Sequence, residues 1–273
     1  MNKNNNKNHT KIITVTSGKG GVGKSSISIN LALILHQLKK RILLLDADIH
    51  LGNIDLMLGI QPKYSILDLV KNDLDIEKVI IKAPGGIDIL PASSAAPEFI
   101  GMENSILFHL AKSLNSYAGK YDIILVDTGP GISQTVTSFI TDVDQILLIV
   151  TPHPASIADS YSIIKFIKYS NKSIPIIMIT NMMNSPEEGD ALYQKINLMV
   201  KKFLYSTIEY AGSILKDDLI EESVKSQYPF VLQYPHSSSA QALRLIYKKM
   251  LKIPVQERDS CNYLFERIAA KQT

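Results

Sequence analysis

A glycine-rich octapeptide near the amino terminus constrains the fold of this chain more than any other feature. Residues 18–25 read GKGGVGKS, directly after the apolar, β-branched run 12–16 and before a helical pattern over 26–38. The spacing G-x-x-x-x-G-K-S between a strand and a helix is typical of a phosphate-binding loop. Glycine lets the backbone come close to phosphate oxygens, and amides at a helix N-terminus attract negative charge. The sequence therefore predicts a nucleotide phosphate site, since the flanking strand and helix disfavour an ordinary glycine-rich turn.

Two side chains of this loop have the chemistry that a nucleotide requires. Lys24 is placed to bridge the β- and γ-phosphates of ATP, and the Ser25 hydroxyl to hold Mg²⁺. The rest of the loop forms the cradle for the phosphates. These further cofactor-binding candidates are Gly18, Lys19, Gly20, Gly21, Val22, Gly23 and Ser26.

Composition excludes several classes of protein. The 273 residues are 45% hydrophobic, enough for a sizeable core, and no apolar run reaches the length of about 18 that a membrane span needs. Residues 1–10 are polar and are expected to be a disordered leader rather than a secretory signal. The single cysteine, Cys261, excludes an internal disulfide framework and fits a reducing cytosol.

Strand and helix patterns alternate along the chain. Apolar runs predict buried strands at 12–16, 42–45, 87–90, 123–126, 146–150, 174–179 and 207–211. Helical patterns lie between most of them, at 26–38, 103–116, 156–169, 187–204 and 237–251. Such alternation implies a mostly parallel sheet, here of about seven or eight strands, with helices on both faces. We expect one α/β P-loop NTPase domain over 11–253, followed by a tail over 254–273 with an amphipathic helix.

Three aspartates follow strand patterns. Asp46 and Asp48 stand two residues apart at the end of the second apolar run, so both project from one face if the strand continues. Asp127 ends a later buried run and precedes the glycine turn 129–131. Ligands of parallel sheets bind at the carboxyl ends of the strands, and Asp127 is therefore expected to hold the Mg²⁺ shell, through water. The alternative for Asp46 and Asp48 is a pair of solvated loop aspartates.

The octapeptide resembles the deviant Walker A motif of the MinD/ParA family of ATPases, because it carries a second lysine, Lys19. In that family the signature lysine reaches across a dimer to the partner's phosphates, as an arginine finger supplied in trans does. Residues 46–60, DADIHLGNIDLMLGI, look like the family's switch I. The resemblance implies that Asp48 orients the attacking water and that Asp46 supports the Mg²⁺/phosphate cluster. His50 departs from the pattern, where a glycine is usual.

The same resemblance assigns roles further along the chain. Residues 129–131 would form switch II after the Mg²⁺-shell aspartate. Asp159 matches an aspartate that pairs with the partner's signature lysine, with a solvated helix-surface charge as the alternative. Asn181, at the end of a strand pattern, matches an asparagine that binds the adenine edge. Pro235 lies in a stretch that resembles the loop closing over the same ring.

Stretches outside the nucleotide motifs resemble the FlhG/FleN flagellar-number ATPases of this family. They are residues 52–59, 85–92 and 181–189, with Phe203 and 210–212 at matching spacing. The resemblance spans roughly residues 11–270. It implies a slow regulatory ATPase that uses ATP and Mg²⁺ and forms a homodimer when ATP binds. The role that it implies is regulation of the number or placement of flagella. It names the GTPase FlhF and a flagellar transcription activator as partners. Residues 1–10 lack the D-Q-A-x-x-L-R segment with which many relatives stimulate that GTPase.

The tail carries one apolar helical face, formed by Leu264, Phe265 and Ile268 with Cys261 and Ala269. In MinD-like proteins such a helix is freed by ATP-dependent dimerisation and lies in the membrane interface. The resemblance therefore implies a cytoplasmic protein that associates peripherally with the inner face of the cytoplasmic membrane when ATP is bound. The alternative is a helix docked on its own domain or on the partner subunit.

Three related functions remain as alternatives. A MinD-type division-site regulator would use the same chemistry on a different client. A ParA-like partition protein would bind DNA without sequence preference; the net charge of +3 and the apolar tail argue against it, and no sequence-specific DNA binding is expected. An iron–sulfur carrier of the superfamily needs paired cysteines, whereas this chain has one.

Overall fold

The fold comes from a computed structural model, which describes residues 10–49, 51–72, 74–92, 101–171, 173–254 and 260–270. Most of the expected leader, His50, and the side chains of Cys261 and Ala269 lie outside this description. The strands are β1 (Lys11–Thr16), β2 (Ile42–Ala47), β3 (Ile81–Lys82), β4 (Asp88–Leu90), β5 (Ile123–Thr128), β6 (Gln145–Val150), β7 (Ile176–Met183) and β8 (Glu209–Leu215). The helices are α1 (Lys24–Gln37), α2 (Ile54–Met57), α3 (Ile66–Lys71), α4 (Ile76–Val79), α5 (Glu103–Tyr117), α6 (Gln134–Ser138), α7 (Pro154–Ser170), α8 (Pro186–Leu204), α9 (Asp218–Lys225), α10 (Phe230–Gln233), α11 (Ser238–Met250) and α12 (Ser260–Ala270).

The strands form one sheet in the order β3-β4-β2-β5-β1-β6-β7-β8. Every neighbouring pair is parallel except β3 and β4, which are antiparallel. The mostly parallel α/β sheet expected from the sequence is therefore confirmed. Strand β3 was not predicted because its two residues are too few to show a hydrophobic period.

Two hydrophobic cores cover the two faces of the sheet. Within β2, Leu43 and Leu45 belong to one core and Leu44 to the other, as the alternation of side chains along a strand requires. Helices α3, α5, α7, α8 and α12 contribute to the first core, and α1, α10 and α11 to the second. No helix of the described residues is both long and apolar enough to cross a bilayer.

Strand register brings the acidic residues together. β2 and β5 are neighbours, and Asp46 on β2 pairs directly with Asp127 on β5. β1 lies on the other side of β5, so the loop that follows β1 leaves the same edge of the sheet. The carboxyl ends of three adjacent strands therefore define one site.

Helix α12 packs against α5 and β1. Leu264, Phe265 and Ile268 are 0%, 1% and 3% exposed within the first core. The apolar face that was predicted to bind a membrane is therefore covered by the chain's own domain, as in the docked alternative. This docking is favourable because burial of each such side chain stabilises the fold by about 1.5–3 kcal/mol. Whether the tail is a separate region beginning at residue 254 stays a prediction.

Candidate nucleotide-binding site

The loop between β1 and α1 has the backbone of a phosphate cradle. Gly21 and Gly23 adopt left-handed φ values of 76° and 84°, and Gly23 is the N-cap of α1. Gly18 packs directly on helix α7: a β-carbon there would overlap the side chain of Asp159 and lie 2.6 Å from the Ser160 amide nitrogen. Only glycine fits at that position, so the loop is held between the sheet and α7.

Asp127 is the polar centre of the site. Its buried carboxylate accepts hydrogen bonds from Ser25 Oγ at 2.5 Å and Ser28 Oγ at 2.9 Å. Lys24 Nζ lies 3.3 Å from Asp127 Oδ1, and both side chains are buried. The sequence-predicted phosphate lysine, Mg²⁺ hydroxyl and Mg²⁺-shell carboxylate are therefore in mutual contact.

Asp46 is buried beside Asp127 without a cationic partner among the described residues. Its Oδ1 accepts the Asp48 amide at 3.1 Å and its Oδ2 the Ile54 amide at 3.3 Å. Burial raises the pKa of Asp46 from 3.8 to about 8, and the nearby charge of Asp127 adds to the rise. Gly52 closes this pocket, because a β-carbon there would lie 2.7 Å from Asp46 Oδ2.

A divalent cation fits this donor set. Two buried carboxylates and the Ser25 hydroxyl supply the hard oxygen ligands that Mg²⁺ prefers. A cation bound here would favour the ionised carboxylate of Asp46 and would therefore lower the pKa that burial raises.

Asp48 faces the turn that follows Asp127. A β-carbon on Gly129 would lie 3.3 Å from Asp48 Oδ1, so the carboxylate of the predicted switch I rests against predicted switch II. Gly131 is tied back to the phosphate loop by its amide, which donates to the Ser17 carbonyl at 2.9 Å. The two segments and the loop thus meet at one point.

A cavity of about 590 Å³ lies above the phosphate loop. The loop residues from Ser17 to Ser26, apart from Gly18, line it together with Asp48, Leu51, Asn53, Met57, Pro130, Met182, Ile220, Glu221, Val224 and Lys225. A smaller cavity of about 230 Å³ adjoins Gly23 and Ser26 and is lined by Asn181, Lys216 and Asp217. The pair of cavities offers space for a phosphate chain and for a ring beside it.

The residues predicted to contact adenine differ in their placement. Asn181 is buried against the phosphate loop, where its Nδ2 donates to the Val22 carbonyl at 2.8 Å. Pro235 lines neither cavity; its carbonyl accepts from Arg244 Nη1 at 2.7 Å. The structure therefore brings Asn181 to the smaller cavity, and Pro235 stays a prediction.

The residues predicted to act across a dimer lie at the rim of the site. Lys19 is partly exposed and lines the larger cavity, and Asp159 is exposed at the first turns of α7, against Gly18. Within the described part of the chain neither side chain forms an ion pair. Both are available to a second molecule.

Ser28 is the site residue that sequence reasoning missed. The Ser28 side chain is buried and its Oγ donates a hydrogen bond to Asp127, so it fixes the carboxylate that is predicted to hold the Mg²⁺ shell. The available signal was its spacing: Ser28 follows Ser25 by three residues on α1, which places both hydroxyls on one face of the helix.

Comparison with known proteins gives consistent results. A ParA family profile, described as NUBPL iron-transfer P-loop NTPase, matches residues 8–251. The antiactivator FleN of Pseudomonas aeruginosa is 32% identical over 94% of this chain and 93% of its own length. The flagellum site-determining protein YlxH of Helicobacter pylori is 34% identical over 81% of this chain and 75% of its own length. The septum site-determining protein MinD from Pyrococcus horikoshii, solved with Mg-ADP, superposes with a TM-score of 0.74 at 25% identity over 88% of this chain and 96% of that one.

Proposed function

Because this chain belongs to the ParA family of P-loop NTPases, with the antiactivator FleN and the flagellum site-determining protein YlxH as relatives, we propose that it is an ATP-driven switch regulating the number or placement of flagella. It is an ATPase that uses ATP and Mg²⁺. The observation that carries the proposal is the contact of Lys24 and Ser25 with Asp127 beneath a cavity that is also lined by Lys19, which forms no ion pair with any described residue. The similarity to YlxH, a flagellum site-determining protein, supports the flagellar client.

The residues around the phosphate loop have separate roles in this proposal. Lys24 and the loop amides bind the phosphates. Ser25, Asp127 and Asp46 would hold Mg²⁺, partly through water, and the ion would supply positive charge against the phosphates. Asp48 orients the attacking water from its position against Gly129. Asn181 lines the smaller cavity, where the adenine base of ATP would bind.

A homodimer completes the site in this proposal. Lys19 is partly exposed and lines the larger cavity together with exposed apolar side chains: Leu51 is 67% exposed and Val224 is 40% exposed. Exposed apolar side chains beside a binding cavity are typical of an interaction surface. A second copy would cover them and bring its own Lys19 to the phosphates.

Substitution of Lys19 and Asp48 tests this cycle. With Mg-ATP, we expect the wild type to form a dimer, Asp48→Ala to remain trapped as a dimer, and Lys19→Ala to stay monomeric. Hydrolysis should fall by about 100-fold in Asp48→Ala and about 1000-fold in Lys19→Ala, the scale of a lost water-positioning group and a lost trans cation. Size-exclusion chromatography with light scattering measures the mass, and phosphate release measures hydrolysis.

Lys40→Ala is the matched control, because Lys40 is exposed and lies away from both cavities. It should leave mass and hydrolysis unchanged. If the molecular mass is indifferent to ATP in all variants, the trans-lysine mechanism is wrong and the chain is a conventional single-site ATPase.

Membrane association, in this proposal, requires helix α12 to undock. Arg267 Nε lies 2.6 Å from Asp142 Oδ2, and its Nη2 also donates to the Ser138 carbonyl and to Thr141 Oγ1. Ser138 ends α6, which begins three residues after Gly131 in the predicted switch II. A nucleotide-dependent movement of switch II would therefore reach the residues that hold Arg267.

The GTPase FlhF and a flagellar transcription activator are the proposed partners of the released or dimeric state.

Arg267→Ala is expected to loosen α12. Loss of a partly buried ion pair and its hydrogen bonds, worth about 1.5–3 kcal/mol, should speed hydrogen exchange in residues 260–270 by at least about tenfold without nucleotide. It should also raise binding to phosphatidylglycerol vesicles in the absence of ATP. Glu266→Ala, an exposed change on the same helix, is the control. Unchanged exchange in Arg267→Ala would show that the ion pair does not hold the helix.

A further inference from the structure

A second cavity of about 580 Å³ lies away from the phosphate loop, along strand β8. It matches the nucleotide cavity in size and shares no lining residue with it. Its walls come from the first turns of α8 and from one side of α11 along its length, with Lys252 just beyond the end of that helix. We call this feature the β8 groove.

The floor of the groove is the open edge of the sheet. β8 is the last strand in the sheet order, and within the described residues it pairs only with β7. The residues 210, 211, 212 and 213 all line the cavity. Because consecutive residues of a strand point to opposite faces, a cavity over one face would be lined by every second residue. The β8 groove therefore runs along the backbone edge, between α8 on one face and α11 on the other.

The strand edge is accessible and rigid. Gly212, with φ of 136°, presents no side chain to the groove, and a β-carbon there would lie 3.4 Å from Ile246 Cγ1. On the α8 side, the hydroxyls of Tyr210, Ser213 and Thr180 are joined by hydrogen bonds of 2.8–3.0 Å. Unpaired strand edges are templates for another strand, and natural proteins usually block them.

The groove wall formed by α11 is basic and partly apolar. Lys248, Lys249 and Lys252 line it, all three are exposed, and none forms an ion pair within the described residues. Leu245 stands beside them with 60% of its surface exposed. Asp190 on α8 is the one carboxylate among the lining residues. Net positive charge beside an exposed leucine favours an acidic ligand that also carries apolar groups.

We propose that the β8 groove binds an extended, acidic segment of a partner protein, which adds to the sheet as a ninth strand alongside β8. Backbone groups of the segment pair with the open edge, and alternate side chains meet the lysines and Leu245. A free phosphate or other small anion would satisfy the lysines but neither the strand edge nor the apolar wall. The inference does not rest on the ATPase cycle, because no groove residue lines the cavity above the phosphate loop, and the groove shares only Leu215 with the smaller cavity at Asn181.

A designed peptide tests the proposal on the full chain without nucleotide. The probe is a fluorescein-labelled, nine-residue peptide with three glutamates and two valines at the odd positions, which share one face, and threonine at the even positions; binding is followed by fluorescence anisotropy. A second peptide carries N-methyl groups at every residue, so that neither of its edges can donate to a strand. We expect saturable binding of the first peptide, at least about tenfold weaker binding of the second, and slower hydrogen exchange in residues 209–215 with the first peptide only.

Charge variants complete the test. Lys248→Gln/Lys249→Gln/Lys252→Gln is expected to weaken binding by at least about tenfold, because it removes the charges that face the peptide. Lys195→Gln/Lys201→Gln/Lys202→Gln is the matched control, since it removes three exposed lysines of α8 and should leave binding within about twofold. Phosphate release by both variants should equal that of the wild type.

Several results would overturn the proposal. Equal binding of the N-methylated peptide would identify a charged surface without strand addition. If pyrophosphate displaces the peptide when both supply the same concentration of negative charge, the groove is a site for small anions. Self-association of the free chain that protects residues 209–215 would identify a second copy as the occupant. Absence of saturable binding would reject the groove as a docking surface for acidic strands.

Discussion

Replacement of Asp127 by asparagine is expected to reduce ATP hydrolysis by about 100- to 1000-fold, one of the largest effects expected of a single substitution in this protein. Asp127 is 1% exposed, and Lys24, Ser25 and Ser28 all converge on its carboxylate. Asparagine keeps the shape of the side chain but loses the negative charge and one acceptor oxygen. Lys24 then lacks its partner, and the Mg²⁺ shell lacks its central carboxylate.

Asp122→Asn is the matched control for this change. Asp122 lies immediately before β5, so it stands at the opposite end of the same strand, where it pairs with Arg41 at 2.7 Å. Phosphate release and Mg²⁺-dependent binding of a fluorescent ATP analogue should be measured for both variants. Hydrolysis within about tenfold of the wild type in Asp127→Asn would contradict a central role for this carboxylate.

The second large effect is a dependence of stability on pH that originates at Asp46. Its pKa rises from 3.8 to about 8 on folding, so between these values the folded chain holds a proton that the unfolded chain has released. The free energy of unfolding from this group therefore falls as pH rises through the window, by up to about 1.4 kcal/mol per pH unit, and levels off above pH 8. Stability is highest at the acidic end of the window.

Asp46→Asn removes the titrating group and is expected to flatten this dependence. Urea unfolding in EDTA between pH 5.5 and pH 8.5 measures it, and the wild type should lose more stability toward pH 8.5 than the variant. Mg²⁺ should oppose the loss in the wild type alone, because a cation stabilises the ionised carboxylate. Asp122→Asn is again the control: the Arg41 guanidinium lowers the pKa of Asp122, so this group stays ionised throughout the range. Parallel curves for the wild type and Asp46→Asn would contradict the buried proton.

Much of the fold and the core of the site could be predicted from the sequence, because they depend on local patterns. Alternating strand and helix periods determine a mostly parallel α/β sheet, and the spacing from Gly18 to Ser25 determines a phosphate loop at the end of β1. Since the carboxyl ends of parallel strands share one edge, an aspartate that ends β5 must lie near that loop. The contact between Lys24 and Asp127 follows from this rule.

The remaining features depend on which elements become neighbours, which no local pattern specifies. Strand order placed Asp46 directly beside Asp127 and so buried two carboxylates together. Packing against α5 covers the apolar face of α12 in this structure, although the spacing of its apolar residues would suit a membrane surface equally well. The position of β8 at the end of the sheet left a backbone edge between two helices that no other described strand covers. The sequence determined which chemical groups are present and which strand ends carry them, whereas burial, partner charges and open edges arise only when distant segments pack.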